Sequence, residues 1–263
     1  EIPSRHLGLS LDEDFCFEEF ADRVAELVEK HVNIDRLLEL TKPVATAVVP
    51  ISAGRHIYKR EPSFPIAVAC DPAFNFVYEA NIRYLHHLGE VTYFSPLADT
   101  SLPDAGFVYL PGGYPELYLA ALSANRQMLQ SIRRYVESGG KLLAECGGMM
   151  YLCDEIRDKN GDVYPMAGVL HQSATMENMK LRLGYRTLLY NETRLKGHEF
   201  HYSRLVEQQN PLPSCAVAYT AKGVETDTPL YHYKNVWAGY THLYWADPVG
   251  NEWFTKFVID GNT

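Results

Sequence analysis

Residues 141–150 constrain the fold of this 263-residue chain most, because an apolar run ends there at Cys146 and two glycines follow at once. This pattern predicts a buried parallel strand that turns sharply into a helix and pushes the side chain at the turn outward. The N-terminus of that helix would lower the pKa of the thiol and stabilise an oxyanion, as acyl transfer by cysteine requires. A cysteine at a strand end is also a common core residue, so a purely structural thiol is the alternative.

A second turn is predicted at Pro111-Gly112-Gly113, where proline and glycine end the short apolar strand Phe107–Leu110. Two consecutive glycines leave backbone N–H groups unshielded, so these groups can approach a ligand oxygen. In an open parallel sheet this turn would lie beside Cys146. An ordinary loop between a strand and a helix is the alternative.

A candidate base, His242, lies in the aromatic stretch 236–245. The fold can bring a distant histidine to a cysteine, and the imidazolium then stabilises the thiolate and later protonates a leaving amine. A histidine in an aromatic strand is also often a core residue. The sequence therefore offers a Cys–His pair together with a structural alternative.

From residue 66 onward the hydrophobic pattern alternates between strands and helices. It predicts strands at residues 66–70, Glu90–Phe94, Phe107–Leu110 and Lys141–Glu145, and helices at residues 76–87 and 117–139. This order is typical of a doubly wound α/β sheet, in which ligands bind at the carboxyl ends of the strands. After residue 152 the pattern predicts an antiparallel extension through residues 168–169, 181–189 and 200–202.

Residues 1–62 are predicted to be a connector that is separate from a catalytic domain at 63–263. Residues 14–31 have apolar side chains at helical spacing, and Asn33 can cap a second helix that ends at Leu40. Residues 44–65 contain prolines and mixed charge, which predicts an irregular linker. The alternative is that the first helix belongs to the outer layer of the sheet.

Composition excludes several classes of function. A net charge of −9 without a basic stripe argues against nucleic acid as a partner. The five cysteines form no C-x-x-C pair and no zinc spacing, so we expect reduced thiols, no metal site and a cytoplasmic protein. The sequence shows no secretory signal and no apolar run of membrane-spanning length, so no membrane partner is expected.

Four motifs that follow one another in the sequence give a more specific signal than any one of them. They are PGGYPE at 111–116, ECGG at 145–148, GHEFHYS at 197–203 and YTH at 240–242, and DPAFNFVY at 71–78 precedes them. In these motifs the chain resembles the glutamine amidotransferase domain of the cobyrinic acid a,c-diamide synthase family, from about residue 66 to its end.

This resemblance implies a class I glutamine amidotransferase with a flavodoxin-like α/β fold, in which a mostly parallel sheet is flanked by helices and has an antiparallel extension. It implies a nucleophile at Cys146 and a histidine at His242. It also implies that the substrate and its oxyanion bind at backbone N–H groups near Gly112, Gly113 and Gly147.

The chain departs from the family pattern in the third catalytic residue. Many such glutaminases have a glutamate two residues after the histidine, and here that position is Tyr244. The resemblance therefore implies either a Cys–His dyad or an orienting carboxylate from elsewhere, for which Glu199 is the candidate and a structural carboxylate the alternative. His198 and His201 are expected to be structural or channel residues.

The resemblance also implies partners. L-Glutamine would be hydrolysed through a cysteine thioester, and the ammonia would amidate the a and c carboxylates of cobyrinic acid, a corrin-type tetrapyrrole, in cobalamin biosynthesis. The chain has no G-x-x-x-x-G-K-[ST] loop, so ATP and Mg²⁺ are expected in an N-terminal ATP-binding domain of the same polypeptide, and no cofactor is expected here. Residues 2–9 resemble the closing segment of that domain, so we expect a C-terminal fragment.

Two other kinds of function stay open on the sequence. A stand-alone cysteine hydrolase or a DJ-1-like protein would keep the turn at Cys146 but would not need glutamine, and it would leave the motif at 197–203 unexplained. A non-catalytic regulatory module would use Cys146 only as a core residue. The sequence indicates neither the oligomeric state nor which related tetrapyrrole is amidated.

Overall fold

A computed structural model describes residues 4–5, 8–9, 17–41, 64–209 and 211–260. The chain divides into two compact units, Glu1–Ile57 and Tyr58–Thr263. The elements of the first unit are an antiparallel pair of strands and two helices: β1 (Ser4–Arg5), β2 (Gly8–Leu9), α1 (Phe17–His31) and α2 (Ile34–Leu40).

Both predicted N-terminal helices are confirmed where the chain is described. Helix α1 covers Phe17–His31, and residues 14–16 lie outside the described part. Asn33 caps α2, because its Oδ1 accepts a 2.9 Å hydrogen bond from the backbone N–H of Arg36. The predicted linker at 44–65 lies outside the described residues up to residue 63. The assignment of residues 1–62 to a connector stays a prediction.

The second unit alternates strands and helices and then becomes mainly β. Its elements are β3 (Pro65–Ala69), α3 (Glu79–Leu88), β4 (Glu90–Phe94), β5 (Phe107–Leu110), a 3₁₀ turn (Pro115–Leu117), α4 (Leu119–Ala124), α5 (Arg126–Glu137), β6 (Lys141–Glu145), α6 (Gly147–Leu152), β7 (Glu155–Arg157), β8 (Val163–Pro165), β9 (Ser173–Thr175), β10 (Arg182–Tyr190), β11 (Thr193–His201), β12 (Arg204–Leu205), β13 (Val217–Thr220), β14 (Glu225–Thr226), β15 (Leu230–Tyr233), β16 (Val236–Gly239), β17 (His242–Leu243), α7 (Pro248–Thr255) and a π-helical turn (Lys256–Asp260).

The central sheet has the strand order β15-β16-β6-β5-β3-β4, and every neighbouring pair is parallel except β15 with β16. Both faces of the inner strands β16, β6, β5 and β3 are buried, as is typical of parallel sheets. In β5, Val108 and Leu110 pack with apolar residues of α4, α5 and α6, whereas Phe107 and Tyr109 pack with those of α3 and α7. The predicted doubly wound α/β sheet is therefore confirmed.

Two smaller sheets extend this core. One is antiparallel with the order β14-β13-β10-β11-β17, and the other has the order β12-β9-β7-β8. The predicted strand at 181–189 is β10, shifted by one residue, and the strand predicted at 200–202 is the end of β11. A strand at 168–169 was wrong: Gly168 has φ 64°, and its N–H donates to the carbonyl of Cys153 over 2.8 Å.

Two predicted helices differ from the structure for local reasons. The helix expected at 76–87 begins only at Glu79, because the N–H of Phe76 donates to the carbonyl of Gly112 over 3.0 Å. The helix expected at 117–139 is interrupted at Asn125, whose Oδ1 caps α5 by accepting from the N–H of Met128 over 3.3 Å.

Candidate active site

Cys146 occupies a sharp turn between β6 and α6. Its φ of 48° and ψ of −107° form a conformation that residues other than glycine rarely adopt. The N–H of Cys146 donates to the carbonyl of Gly239 over 2.8 Å, which fixes the turn to strand β16. At Gly148 a Cβ atom would lie 2.1 Å from the carbonyl oxygen of Leu110, so only glycine fits there. The turn predicted from the sequence is confirmed.

The turn at Gly112 and Gly113 lies against the start of α6. A Cβ atom on Gly147 would lie 3.2 Å from the backbone nitrogen of Gly113, so the two backbones approach each other closely beside the thiol. The N–H of Tyr114 donates to the carbonyl of Ala73 over 2.9 Å and holds the turn in place. This arrangement brings together the backbone segments from which the sequence predicted oxyanion donors.

His242 reaches the same edge of the sheet from strand β16. Gly239 of β16 is in register with Glu145 of β6, and His242 follows Gly239 by three residues, so both the imidazole and Cys146 lie just beyond the ends of adjacent strands. The ring packs on Phe76 with a centroid distance of 4.3 Å. Burial, with smaller contributions from nearby histidines, lowers the pKa of His242 to about 3. The imidazole is therefore neutral at neutral pH and can accept a proton.

The thiol of Cys146 is also held in its neutral form. Its residue is 6% exposed, and burial raises the pKa of the thiol well above its usual value. The carboxyl of Glu116 raises this pKa further, whereas a hydrogen bond with the backbone of Gly147 lowers it. The start of α6 thus lowers the pKa of the thiol as expected, but desolvation is the larger effect and the net shift is upward.

A carboxyl that the sequence analysis did not select lies beside the imidazole. Glu145 is 2% exposed, and its Oε2 is 4.0 Å from Nδ1 of His242. Oε2 also accepts a 2.7 Å hydrogen bond from the hydroxyl of Tyr109, and Oε1 accepts one of 3.1 Å from the N–H of Leu243. Burial raises the pKa of Glu145 to about 8. A charged residue at the end of an otherwise apolar strand was the signal in the sequence.

Glu199, the carboxylate selected from the sequence, has other partners. It is fully buried, and its Oε2 lies 2.9 Å from a guanidinium nitrogen of Arg186. The hydroxyl of Thr241 donates to its Oε1 over 3.4 Å. Among the described contacts, the carboxyl that faces the His242 ring is that of Glu145 and not that of Glu199.

The other two histidines flank the site. His198 is the cross-strand neighbour of His242, with ring centroids 6.2 Å apart. His201 stacks on Tyr240 at 3.8 Å, and its Nδ1–H donates to the carbonyl of Ser203 over 2.9 Å. Burial lowers the pKa of His201 to about 4. These contacts give His201 a structural role.

Asn81 is a second residue that the sequence analysis did not select. This buried side chain of α3 donates to the carbonyl of Leu243 over 2.8 Å and accepts from the N–H of Trp245 over 2.9 Å. It therefore fixes the backbone on the C-terminal side of His242. A buried asparagine in a helix gives no local pattern from which such a contact could be predicted.

Among the residues that the structure describes, no group of three His, Cys, Asp or Glu side chains is placed to hold a metal ion. None of the described helices has the length and apolar character needed to cross a membrane.

Comparison with known proteins shows the family. Residues 65–249 match the family described as CobB/CobQ-like glutamine amidotransferase domain. The chain is 36% identical over 256 residues to hydrogenobyrinate a,c-diamide synthase of Stutzerimonas stutzeri, across 95% of this chain and 56% of that protein. It is 37% identical over 268 residues to cobyrinate a,c-diamide synthase of Dehalococcoides mccartyi, across 93% of this chain and 56% of that protein.

The solved structure of a glutamine amidotransferase superposes with a TM-score of 0.49 at 16% identity, over 73% of this chain and 98% of that one. The chain spans little more than half the length of the curated relatives given above. The match over residues 65–249 covers the central sheet, Cys146 and His242. The chain thus belongs to the CobB/CobQ-like glutamine amidotransferase family.

Proposed function

We propose that this chain is the glutamine-hydrolysing part of an ATP-dependent amidotransferase. The observation that carries the proposal is the strained turn of Cys146, with φ 48°, at the place where the backbones of Gly113 and Gly147 meet. A core thiol would need neither the backbone strain nor two glycine turns around it.

The proposed reaction begins when Sγ of Cys146 attacks the side-chain amide carbon of glutamine while the thiol proton passes to His242. The carbonyl oxygen becomes an oxyanion, which accepts hydrogen bonds from the N–H groups of Gly113 and Gly147. Each such donor typically contributes about 3 kcal/mol to transition-state stabilisation. The imidazolium then protonates the amide nitrogen, the C–N bond breaks, and ammonia leaves a Cys146 thioester.

Water completes the cycle. His242 takes a proton from the attacking water, the C–S bond breaks, and glutamate leaves as the thiol regains its proton. Burial raises the pKa of the thiol and lowers that of His242, so both groups are neutral before the reaction and the proton passes between them as Sγ attacks.

We further propose that the ammonia amidates the a and c carboxylates of a cobyrinate-type tetrapyrrole in cobalamin biosynthesis. The support is that relatives at 36% and 37% identity are named hydrogenobyrinate and cobyrinate a,c-diamide synthases. Amide formation from a carboxylate requires activation, and no residue of this chain is assigned to ATP or Mg²⁺. Both belong, in this proposal, to the part of those relatives that the chain does not span.

Covalent labelling with a glutamine-mimicking chloroketone tests the glutaminase proposal. We expect one adduct, at Cys146, that forms more slowly when glutamine is added. Cys153→Ala is the matched control, because Cys153 is a second fully buried thiol with a raised pKa near the same helix, and this variant should be labelled like the wild type.

Two outcomes would favour the other functions. Labelling at Cys146 that glutamine does not slow would support a stand-alone cysteine hydrolase or a DJ-1-like protein. Slow labelling spread over several cysteines would support a regulatory module with a structural thiol at Cys146.

A further inference from the structure

Nδ1 of His242 is a buried nitrogen atom that could take part in a hydrogen bond. Within the described part of the chain it is among the few buried side-chain nitrogens or oxygens without a hydrogen-bond partner. Such an atom costs free energy unless a partner comes within reach during function. Oε2 of Glu145 lies 4.0 Å from this nitrogen, about 1 Å beyond a hydrogen bond.

The position that usually orients the histidine cannot do so here. Tyr244 is 39% exposed and packs edge-on against Tyr78 with a centroid distance of 5.8 Å. Glu145, in contrast, is held rigidly by the hydroxyl of Tyr109 and the N–H of Leu243. Both donors fix the carboxyl group, and Oε2 keeps acceptor capacity beyond the hydrogen bond from Tyr109.

We propose that Glu145, in its carboxylate form, is the positioning residue for His242: its Oε2 accepts a hydrogen bond from Nδ1–H, so that Nε2 is left to receive the thiol proton of Cys146. This inference rests on the proposed glutaminase reaction. It also places the orienting carboxyl and the nucleophile on adjacent residues of one turn. A movement of that turn when glutamine binds would act on both at once.

The other groups that face the ring do not supply this function. Phe76 and the backbone of Gly112 carry no charge, and His198 and His201 lower the pKa of His242, so they disfavour an imidazolium. Glu145 is thus the acid among the described neighbours of the imidazole.

Glu145→Gln tests the proposal with a side chain of nearly the same size. An amide has one oxygen, and the N–H of Leu243 and Nδ1–H of His242 both require an acceptor, so an NH₂ group would face one of them. We expect the imidazole to adopt the opposite tautomer and kcat for glutamine hydrolysis to fall about 10³- to 10⁴-fold, as in a triad whose carboxylate is replaced by an amide. KM should change less than threefold.

Glu199→Gln is the matched control, because it replaces the other buried carboxyl near the site and should lower kcat less than tenfold. The deficit of Glu145→Gln should reach about 10³- to 10⁴-fold above about pH 8, where Glu145 of the wild type is ionised, and should be smaller at lower pH. A loss of kcat that is larger for Glu199→Gln than for Glu145→Gln would overturn the proposal.

The ¹⁵N shifts of His242 provide a readout that does not depend on activity. At a pH above 8, where Glu145 is ionised, the wild type should have a protonated Nδ1, and Glu145→Gln a protonated Nε2. The same tautomer in both proteins would overturn the positioning role, even if kcat falls. If the wild type released no glutamate but the tautomer changed as expected, the glutaminase proposal would fail while the contact between Glu145 and His242 stood.

Discussion

Gly112 lies in direct contact with His242: a Cβ atom at Gly112 would be 2.2 Å from Cε1 of the imidazole and 2.9 Å from its Nδ1. The glycine turn therefore has a second role besides exposing backbone N–H groups, because the absence of a side chain makes room for the base. Two segments that are 130 residues apart in sequence thus depend on each other for their geometry.

Gly112→Ala should displace the imidazole and lower kcat for glutamine hydrolysis about 10²-fold, since displacements of about 1 Å in an active site have effects of this size. The control is Gly223→Ala, where nothing lies within 4 Å of the added Cβ and φ is 76°. That control should lose about 1–2 kcal/mol of stability and keep its kcat. Equal kcat in both variants would refute the contact.

Glu199→Ala should destabilise the protein rather than act on the reaction. Arg186, whose side chain is 10% exposed, would lose its partner in a buried ion pair, and breaking such a pair costs about 3–5 kcal/mol. Urea unfolding measures this loss. The double variant Arg186→Met/Glu199→Leu removes both charges and should recover most of the lost free energy of unfolding. A stable Glu199→Ala protein with greatly reduced kcat would instead favour Glu199 as the orienting residue.

Stability should depend on pH in a way that reflects the buried acids. The pKa of Glu145 is raised to about 8 and that of Glu116 to about 7, so each stabilises the fold below its unfolded pKa, and this contribution is lost as the pH rises through the folded value. The free energy of unfolding should therefore fall between about pH 6.5 and 8, whereas at lower pH the opposite effect of His242 and His201 offsets this fall. The Glu145→Gln side chain cannot ionise, so the free energy of unfolding of this variant should fall less over this pH range. The same dependence on pH in both proteins would contradict the raised pKa of Glu145.

Acid should destabilise the fold through histidine. The pKa of His242 is lowered to about 3 and that of His201 to about 4, so their contribution is complete above the unfolded value of 6.5 and is lost as the pH falls through those folded values. The His201→Asn variant should therefore lose less stability than the wild type as the pH falls from 6 to 4. Urea unfolding at a series of fixed pH values measures how the free energy of unfolding changes on the acidic side and on the alkaline side.

Ordinary alkylation should distinguish the thiols. Cys70 is exposed and should react with iodoacetamide first, whereas Cys146 is buried and the pKa of its thiol is raised. Its rate at pH 7 should lie well below that of the same cysteine in urea and rise about tenfold per pH unit, because the thiolate is the reactive form. Faster labelling of Cys146 than of Cys70 at pH 7 would show that the thiol is already ionised.

The sequence predicted the elements whose signals are local. The strands Glu90–Phe94, Phe107–Leu110 and Lys141–Glu145 are confirmed with the same bounds, because each is a short segment with apolar or alternating residues that a turn follows. The turn at Cys146 is confirmed for the same reason.

Contacts between distant segments could not be predicted in this way. Nothing near Glu145 in the sequence reveals that Leu243 donates to it, nor does the sequence near Glu199 reveal its ion pair with Arg186. The net direction of the pKa shift of Cys146 could not be predicted either, because the helix start that lowers it is a local feature, whereas the burial that raises it is a property of the whole fold. Sequence motifs therefore located the candidate nucleophile and base, and the fold was needed to find the carboxyl beside them.

Glutamate release from glutamine by the purified chain, compared among wild type, Cys146→Ala and Cys153→Ala, tests the central claim most directly. Each variant is first shown to be folded by circular dichroism. We predict slow release by wild type and Cys153→Ala, one ammonia per glutamate, and no release by Cys146→Ala. Release by Cys146→Ala at the wild-type rate, or none by any folded protein, would contradict the claim that Cys146 is the nucleophile of a glutaminase.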